Sequence, residues 1–131
     1  MREHIEIVKR TADQWNRRAW SELEAALSPD VTVVPPEGWP EGDTVRGFEA
    51  WRRQIETLKD SWEEERVEVV EITRFGDRLL AKYLWTTRGM DSGIPFETPM
   101  WCLYAFREGK VHRMQYFMDE SLALEAALGP E

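Results

Sequence analysis

The 131-residue sequence predicts a single α+β domain, helices first and an antiparallel sheet after them. Three observations carry this. Apolar residues recur every three or four positions as far as Leu58, the period of a helix face. From Arg66 onward alternation with a period of two takes over, the mark of strands. The short polar segments "GDR" and "EGK" then join apolar runs in pairs, as hairpin turns do. No repeat, low-complexity tract or linker interrupts the chain, so residues 1–131 are read as one domain.

Taken in order, Ile5, Val8, Ala12, Trp15 and Ala19 mark one face of an N-terminal helix. "NRRAW" interrupts it, and Ser21 with Glu24 reads as a capping box for a short second helix through Leu27. Ser28-Pro29-Asp30 is expected to end that helix, because proline cannot continue it. "DVTVVP" reads as a short strand, and "PPEGWPEGD" as the loop beyond it. After Gly47, Phe48, Trp51, Ile55 and Leu58 give a third helical stripe. "RVEVVEITRF" and "LLAKYLWTTR" form one hairpin; "GMDSGIP" turns the chain, and "FETPMWCLYAFR" and "VHRMQYFM" form a second. Asp119 then caps a terminal helix, "ESLALEAAL", that stops at Gly129-Pro130.

Composition narrows the function. Hydrophobic residues make up 42% and aromatic residues 11%, with seven tryptophans, enough for a packed core. A formal charge of −8 opposes phosphate backbones and anionic lipid surfaces, which argues against nucleic acid and membrane as partners. No apolar run approaches the ~20 residues of a membrane span. "MREHIEIVKR" lacks the apolar core of a signal peptide. A single cysteine, Cys102, allows no internal disulfide and fits a reducing, cytoplasmic setting. His4 and His112 stand on different elements and no carboxylate pair has ligand spacing, so neither a metal nor another cofactor is expected.

The element order, together with "LSPDVTVVPPEGWPEGDTVRGFEAWRR", "GDRLLAKYLWTTRGMDSG" and "FREGKVHRMQYFMDESLALEAALG", resembles the nuclear transport factor 2-like superfamily in its SnoaL-like, polyketide-cyclase branch. The resemblance covers nearly the whole chain. It implies a cone-shaped roll, with a curved sheet wrapped around helices and an apolar pocket at one end. It also implies what is absent. The catalytic base of the related ketosteroid isomerases falls on Pro35, their tyrosine on Thr11 and their acid on Cys102. The last-strand aspartate of the limonene-epoxide-hydrolase branch falls on Tyr116, and Lys82, Tyr83 and Leu84 stand near its Arg-x-Asp position. Neither chemistry transfers.

Strand parity places candidate pocket residues. Lys82 and Arg88 share one face, which turns Ala81, Tyr83, Trp85 and Thr87 inward; Met100, Cys102 and Tyr104 follow on the next strand. On the last strand the resemblance puts His112, Met114, Tyr116 and Met118 in the pocket. With Trp15, Val33, Pro35, Trp39 and Trp51, these make an aromatic lining for a small apolar ligand. His112 is the candidate general base and Tyr116 the hydrogen-bond donor for a cofactor-free isomerisation, cyclisation or dehydration of a carbonyl compound. The bland readings are a structurally satisfied histidine, packed tyrosines and a small buried Cys102. Trp39 reads equally as a lid or as an anchor for its loop. Trp101 and Leu103 face outward, so a second copy of the chain is expected to cover them in a homodimer. Two other functions stay open: a non-catalytic binding or assembly module with a filled pocket, and protein recognition through Trp101.

Overall fold

The computed structural model describes residues 2–39, 42–89 and 93–130. Part of the loop at 35–43 and part of the turn at 89–95 lie outside them. The order is α1 (Arg2–Arg17), α2 (Trp20–Ala25), β1 (Leu27–Val34), β2 (Val45–Arg46), α3 (Phe48–Asp60), β3 (Glu64–Phe75), β4 (Arg78–Arg88), β5 (Pro95–Arg107), β6 (Lys110–Phe117) and α4 (Glu120–Leu128). The strands form one open sheet in the order β2-β1-β6-β5-β4-β3. Every neighbouring pair is antiparallel except β1 and β6, which run parallel. This is the expected α+β architecture.

Helices α1, α2 and α3 bury their apolar stripes on one face of the sheet. Val8 and Ala12 of α1, Leu23 of α2, and Phe48, Trp51 and Ile55 of α3 share a core with Val67, Leu79, Ala81, Tyr83, Trp85, Cys102, Tyr104, Val111 and Met114. Asn16 ties α1 to β3 at both ends of its amide: Nδ2 donates to the Val67 carbonyl and Oδ1 accepts the Val67 N–H, each at 2.8 Å. Arg18, at φ 54°, ends α1 and turns the chain into α2. At the start of α3, Gly47 has φ 84° and ψ 154°, a region closed to residues with a Cβ, while its N–H reaches the Val31 carbonyl at 2.8 Å.

Three local expectations need correction. Ser21 lies inside α2 rather than at its cap; Ala19 holds the N-cap position without a side-chain hydrogen bond, and the buried Leu23 anchors the helix instead. Ser28-Pro29-Asp30 does not break a helix but belongs to β1. There the register with β6 shifts between Leu27 and Thr32, and the shift accommodates a proline with no N–H. The two-residue β2, pairing Val33 with Val45 and Thr32 with Arg46, is too short to show a pattern in sequence. The third correction is larger in consequence, because part of the outer face of the sheet is covered by the chain itself. Helix α4 lays Ala123 and Ala127 against Leu80, Trp101 and Leu103, leaving Trp101 and Leu103 8% and 4% exposed. Parity identified an apolar outer face correctly, but a helix of this chain, and not a second copy, buries those two residues. Small side chains four positions apart let the helix approach closely.

Helix α4 is held at both ends. Asp119 Oδ1 accepts the Leu122 N–H at 3.1 Å, the N-cap read from sequence. The Arg78 guanidinium donates to the Ala126, Ala127 and Gly129 carbonyls at its C-terminal end. No helix among the described residues is long and apolar enough to cross a membrane.

Candidate functional site

Between the helical layer and the sheet lies a cavity of about 480 Å³. Its wall draws on α1 (Trp15), β1 and the loop after it (Val33, Pro35, Pro36, Trp39), α3 and its exit (Trp51, Gln54, Ile55, Thr57, Leu58, Ser61, Trp62), and the sheet (Trp85, Met100, Tyr116). Deeper in, a void of about 30 Å³, room for one or two waters, is framed by Thr11, Tyr83, Tyr104, Met114 and Tyr116 among others. Large side chains therefore fill the inner end and leave the outer end open.

Five indoles line the larger cavity, and they touch one another at angles. Trp39 lies 6.0 Å from Trp85 at 50°, and Trp62 lies 6.2 Å from Trp85 at 86°. Trp15 lies 5.8 Å from Trp51 at 45°. Gly38, at φ 80°, and the bond from the Trp39 N–H to the Pro36 carbonyl shape the turn that brings Trp39 over Trp85.

Beneath this wall sits a buried charged cluster. Lys59 Nζ is 2.6 Å from Glu65 Oε1, with side chains only 4% and 2% exposed. Glu65 Oε2 accepts the indole N–H groups of Trp15 and Trp85, each at 2.8 Å. Lys59 Nζ also stands 5.2 Å from the centre of the Trp15 ring. One carboxylate thus fixes two walls of the cavity and is itself balanced by one ammonium. Sequence reasoning missed both residues, as it missed Trp62. A usable signal existed. Lys59 continues the α3 stripe of Trp51 and Ile55 at four-residue spacing, and Glu65 shares strand parity with Val67.

On the inner face of β4, β5 and β6 stand Tyr83, Tyr104, Cys102 and Tyr116. The Tyr83 and Tyr104 hydroxyls bond to each other, and the Tyr116 hydroxyl reaches Met114 Sδ at 3.9 Å. Burial pushes the Tyr83, Tyr104 and Tyr116 phenols and the Cys102 thiol well above their ordinary values, since nothing solvates the anions there. Tyr116 is the member of this group that reaches the larger cavity. Its phenol is neutral near neutral pH: it can donate a hydrogen bond and cannot act as a base.

Of the residues singled out from sequence, Trp15, Val33, Pro35, Trp39, Trp51, Trp85, Met100 and Tyr116 line the larger cavity, and Tyr83, Tyr104 and Met114 line the smaller void. Three do not join them. Cys102 is fully buried between Ala81 and Tyr116 in the sheet pairing, behind the lining. Met118 follows the end of β6 and borders a groove on the α4 side of the sheet. His112 lies outside both cavities. β5 pairs Ala105 with Arg113 and Phe106 with Val111, so His112 is the extra residue of a β-bulge, and simple alternation fails there. Its Nδ1 instead lies 3.5 Å from Ser28 Oγ and 3.8 Å from Asp30 Oδ1.

Comparisons with known proteins agree with this architecture. The structure is similar to that of TerC co-crystallized with polyporic acid, at 20% identity and a TM-score of 0.79, covering 96% of this chain and 98% of that one. It is similar to a protein of ketosteroid isomerase-like fold from Catenulispora acidiphila DSM 44928 in complex with trimethylamine, at 22% identity and a TM-score of 0.74, covering 95% and 94%. It is also similar to a putative SnoaL-like polyketide cyclase from Jannaschia sp. CCS1, at 22% identity and a TM-score of 0.72, covering 98% and 94%. No curated protein matches the sequence. The SnoaL-like domain model matches residues 8–114, and on that match the chain belongs to the SnoaL-like domain family.

Proposed function

We propose that this SnoaL-like domain binds a small, largely apolar organic molecule in its tryptophan-lined cavity. One observation carries the reading: about 480 Å³ of open space behind five indoles, with Tyr116, its phenol held neutral by burial, in the lining. A carbonyl oxygen on the ligand would accept a hydrogen bond from that phenol. The relatives solved with polyporic acid and with trimethylamine support the view that such folds take small organic molecules.

Two consequences for chemistry follow from the lining. If the domain is an enzyme, its reaction is a cofactor-free isomerisation, cyclisation or dehydration. Tyr116 would stabilise negative charge growing on a carbonyl oxygen, while the walls exclude water and hold the reacting atoms together. The described lining residues include no carboxylate, imidazole or amine, so the proton acceptor would be a group of the ligand itself. The same fact favours a second reading, a binding module without chemistry.

The experiment is a thermal-shift screen against steroids, terpenoids, aromatic polyketides and short acyl compounds. A ligand of the folded state at one hundred times its dissociation constant adds about 2.7 kcal/mol, an easily seen shift in Tm. For a compound that is turned over, Tyr116→Phe is expected to lower kcat by about 10²–10³-fold, the usual effect of removing an oxyanion donor. An unchanged kcat would leave Tyr116 a binding role alone, and no turnover of any bound compound would assign the protein the binding role.

A further inference from the structure

The angles between the indoles bear on the ligand's chemical class. No adjacent pair is parallel: Trp39 and Trp62 meet Trp85 at 50° and 86°, and Trp15 meets Trp51 at 45°. Rings set this way form the corner of a box and not a slot for one flat ring. Trp15 and Trp85 spend their N–H groups on Glu65, and Lys59 Nζ already stands 5.2 Å from the centre of the Trp15 ring, which leaves the Trp85 ring, with Trp39 and Trp62 against it, to meet a ligand. The face of an indole carries the negative part of the ring quadrupole and attracts a cation.

The remaining lining fits the same sign. The polar side chains among the described lining residues are Gln54, Thr57, Ser61 and Tyr116, all neutral, and no lysine, arginine or histidine is among them. Thr57 and Ser61 donate their hydroxyl protons to the Arg53 and Thr57 carbonyls, so oxygen lone pairs are what they have left. A net charge of −8 adds a long-range field that draws cations toward the molecule.

We propose that the cavity receives the alkylated ammonium head of an organic cation, with the indole faces replacing its water shell. The proposal rests on the binding reading above and adds to it the charge of the ligand. A tetraalkylammonium group suits such a box because its charge is diffuse and weakly hydrated. A primary ammonium would lose more hydration energy on entry and would need acceptors that this lining supplies poorly.

Two probes of nearly the same shape test the charge alone: choline, and dimethylbutanol, in which carbon replaces the ammonium nitrogen. Each is titrated into the purified protein by calorimetry at low salt. Choline is expected to bind about tenfold more tightly or better, and Trp39→Leu is expected to weaken choline more than dimethylbutanol, so that the preference falls several-fold. Trp39 lies in a loop outside the helices and strands, so the variant leaves the framework of the fold in place. Trp62→Leu provides an independent second reading of the same effect. Equal or tighter binding of dimethylbutanol overturns the cation proposal and leaves the apolar-ligand reading standing. Choline silent while a neutral compound from the thermal-shift screen binds overturns it in the same way. If neither probe nor any screened compound binds, both readings fall together.

Discussion

Glu65 and Lys59 sit in a stretch, "KDSWEEER", that looks like a solvated charged turn. In the fold one acid of that run turns inward to meet the lysine, and its other oxygen holds the Trp15 and Trp85 indoles. Removing one partner of such a pair leaves a buried charge uncompensated, which costs about 3–5 kcal/mol. Glu65→Ala is therefore expected to lower the urea midpoint strongly. Lys59→Met with Glu65→Gln should recover much of the loss, since the charges then disappear together while the amide oxygen still accepts from the indoles. Urea unfolding of both variants checks this. A Glu65→Ala loss under 1 kcal/mol would mean that the cluster does not hold the wall. Tyr116 and His112 show how far single residues were legible. Alternation grouped the two on one face and the resemblance turned that face to the pocket; Tyr116 lines the cavity but His112 does not, because a bulge adds one residue and no periodic rule registers it.

At the scale of elements, the long strands and the helices α1 and α3 could be read from periodicity, because each buries one regular stripe, and α4 from its Asp119 cap and its Gly129-Pro130 stop. The two-residue β2 and the boundary between α2 and β1 could not, since both are decided by sheet register and not by local propensity. The apolar outer faces of β4 and β5 were legible as buried, but their cover was not: a stripe of apolar residues does not say which element lies on it.

The inner faces of β4, β5 and β6 carry a prediction about pH. Cys102 and Tyr83 ionise in the unfolded chain near their ordinary values of 9.0 and 10.0, whereas burial raises both in the native state, as it does Tyr104 and Tyr116. Native protons are thus held where the unfolded chain has lost them. Stability is fully present below pH ~9 and falls as pH rises from there toward the native values, by about 1.4 kcal/mol per pH unit for each group. Denaturant midpoints measured from pH 7 to pH 11 should be level at first and then drop steeply. Cys102→Ala should move the onset from near 9 to near 10. A curve still level at pH 11 would show that these groups are not buried together.

For the whole molecule, the sheet separates two environments. One face carries the cavity and five of the seven tryptophans; the other carries Trp101 beneath α4, and Trp20 packs on the helical side under the Arg52 guanidinium. The fold class and family were legible over nearly the full length, because they depend on element order and strand parity. The open cavity was not, because its size depends on how far Trp39, Trp62 and the loop after β1 stand from the core. That division makes the tryptophans their own controls. The most direct test of ligand binding in this cavity is a nitrogen–proton correlation spectrum of the seven indole N–H groups, titrated with the neutral apolar probe N-phenyl-1-naphthylamine. Shifts are expected for Trp39, Trp51 and Trp62, smaller ones for Trp15 and Trp85 behind their Glu65 bonds, and none for Trp20 and Trp101. Shifts confined to Trp101, or no shifts at a saturating probe concentration, would contradict binding in this cavity.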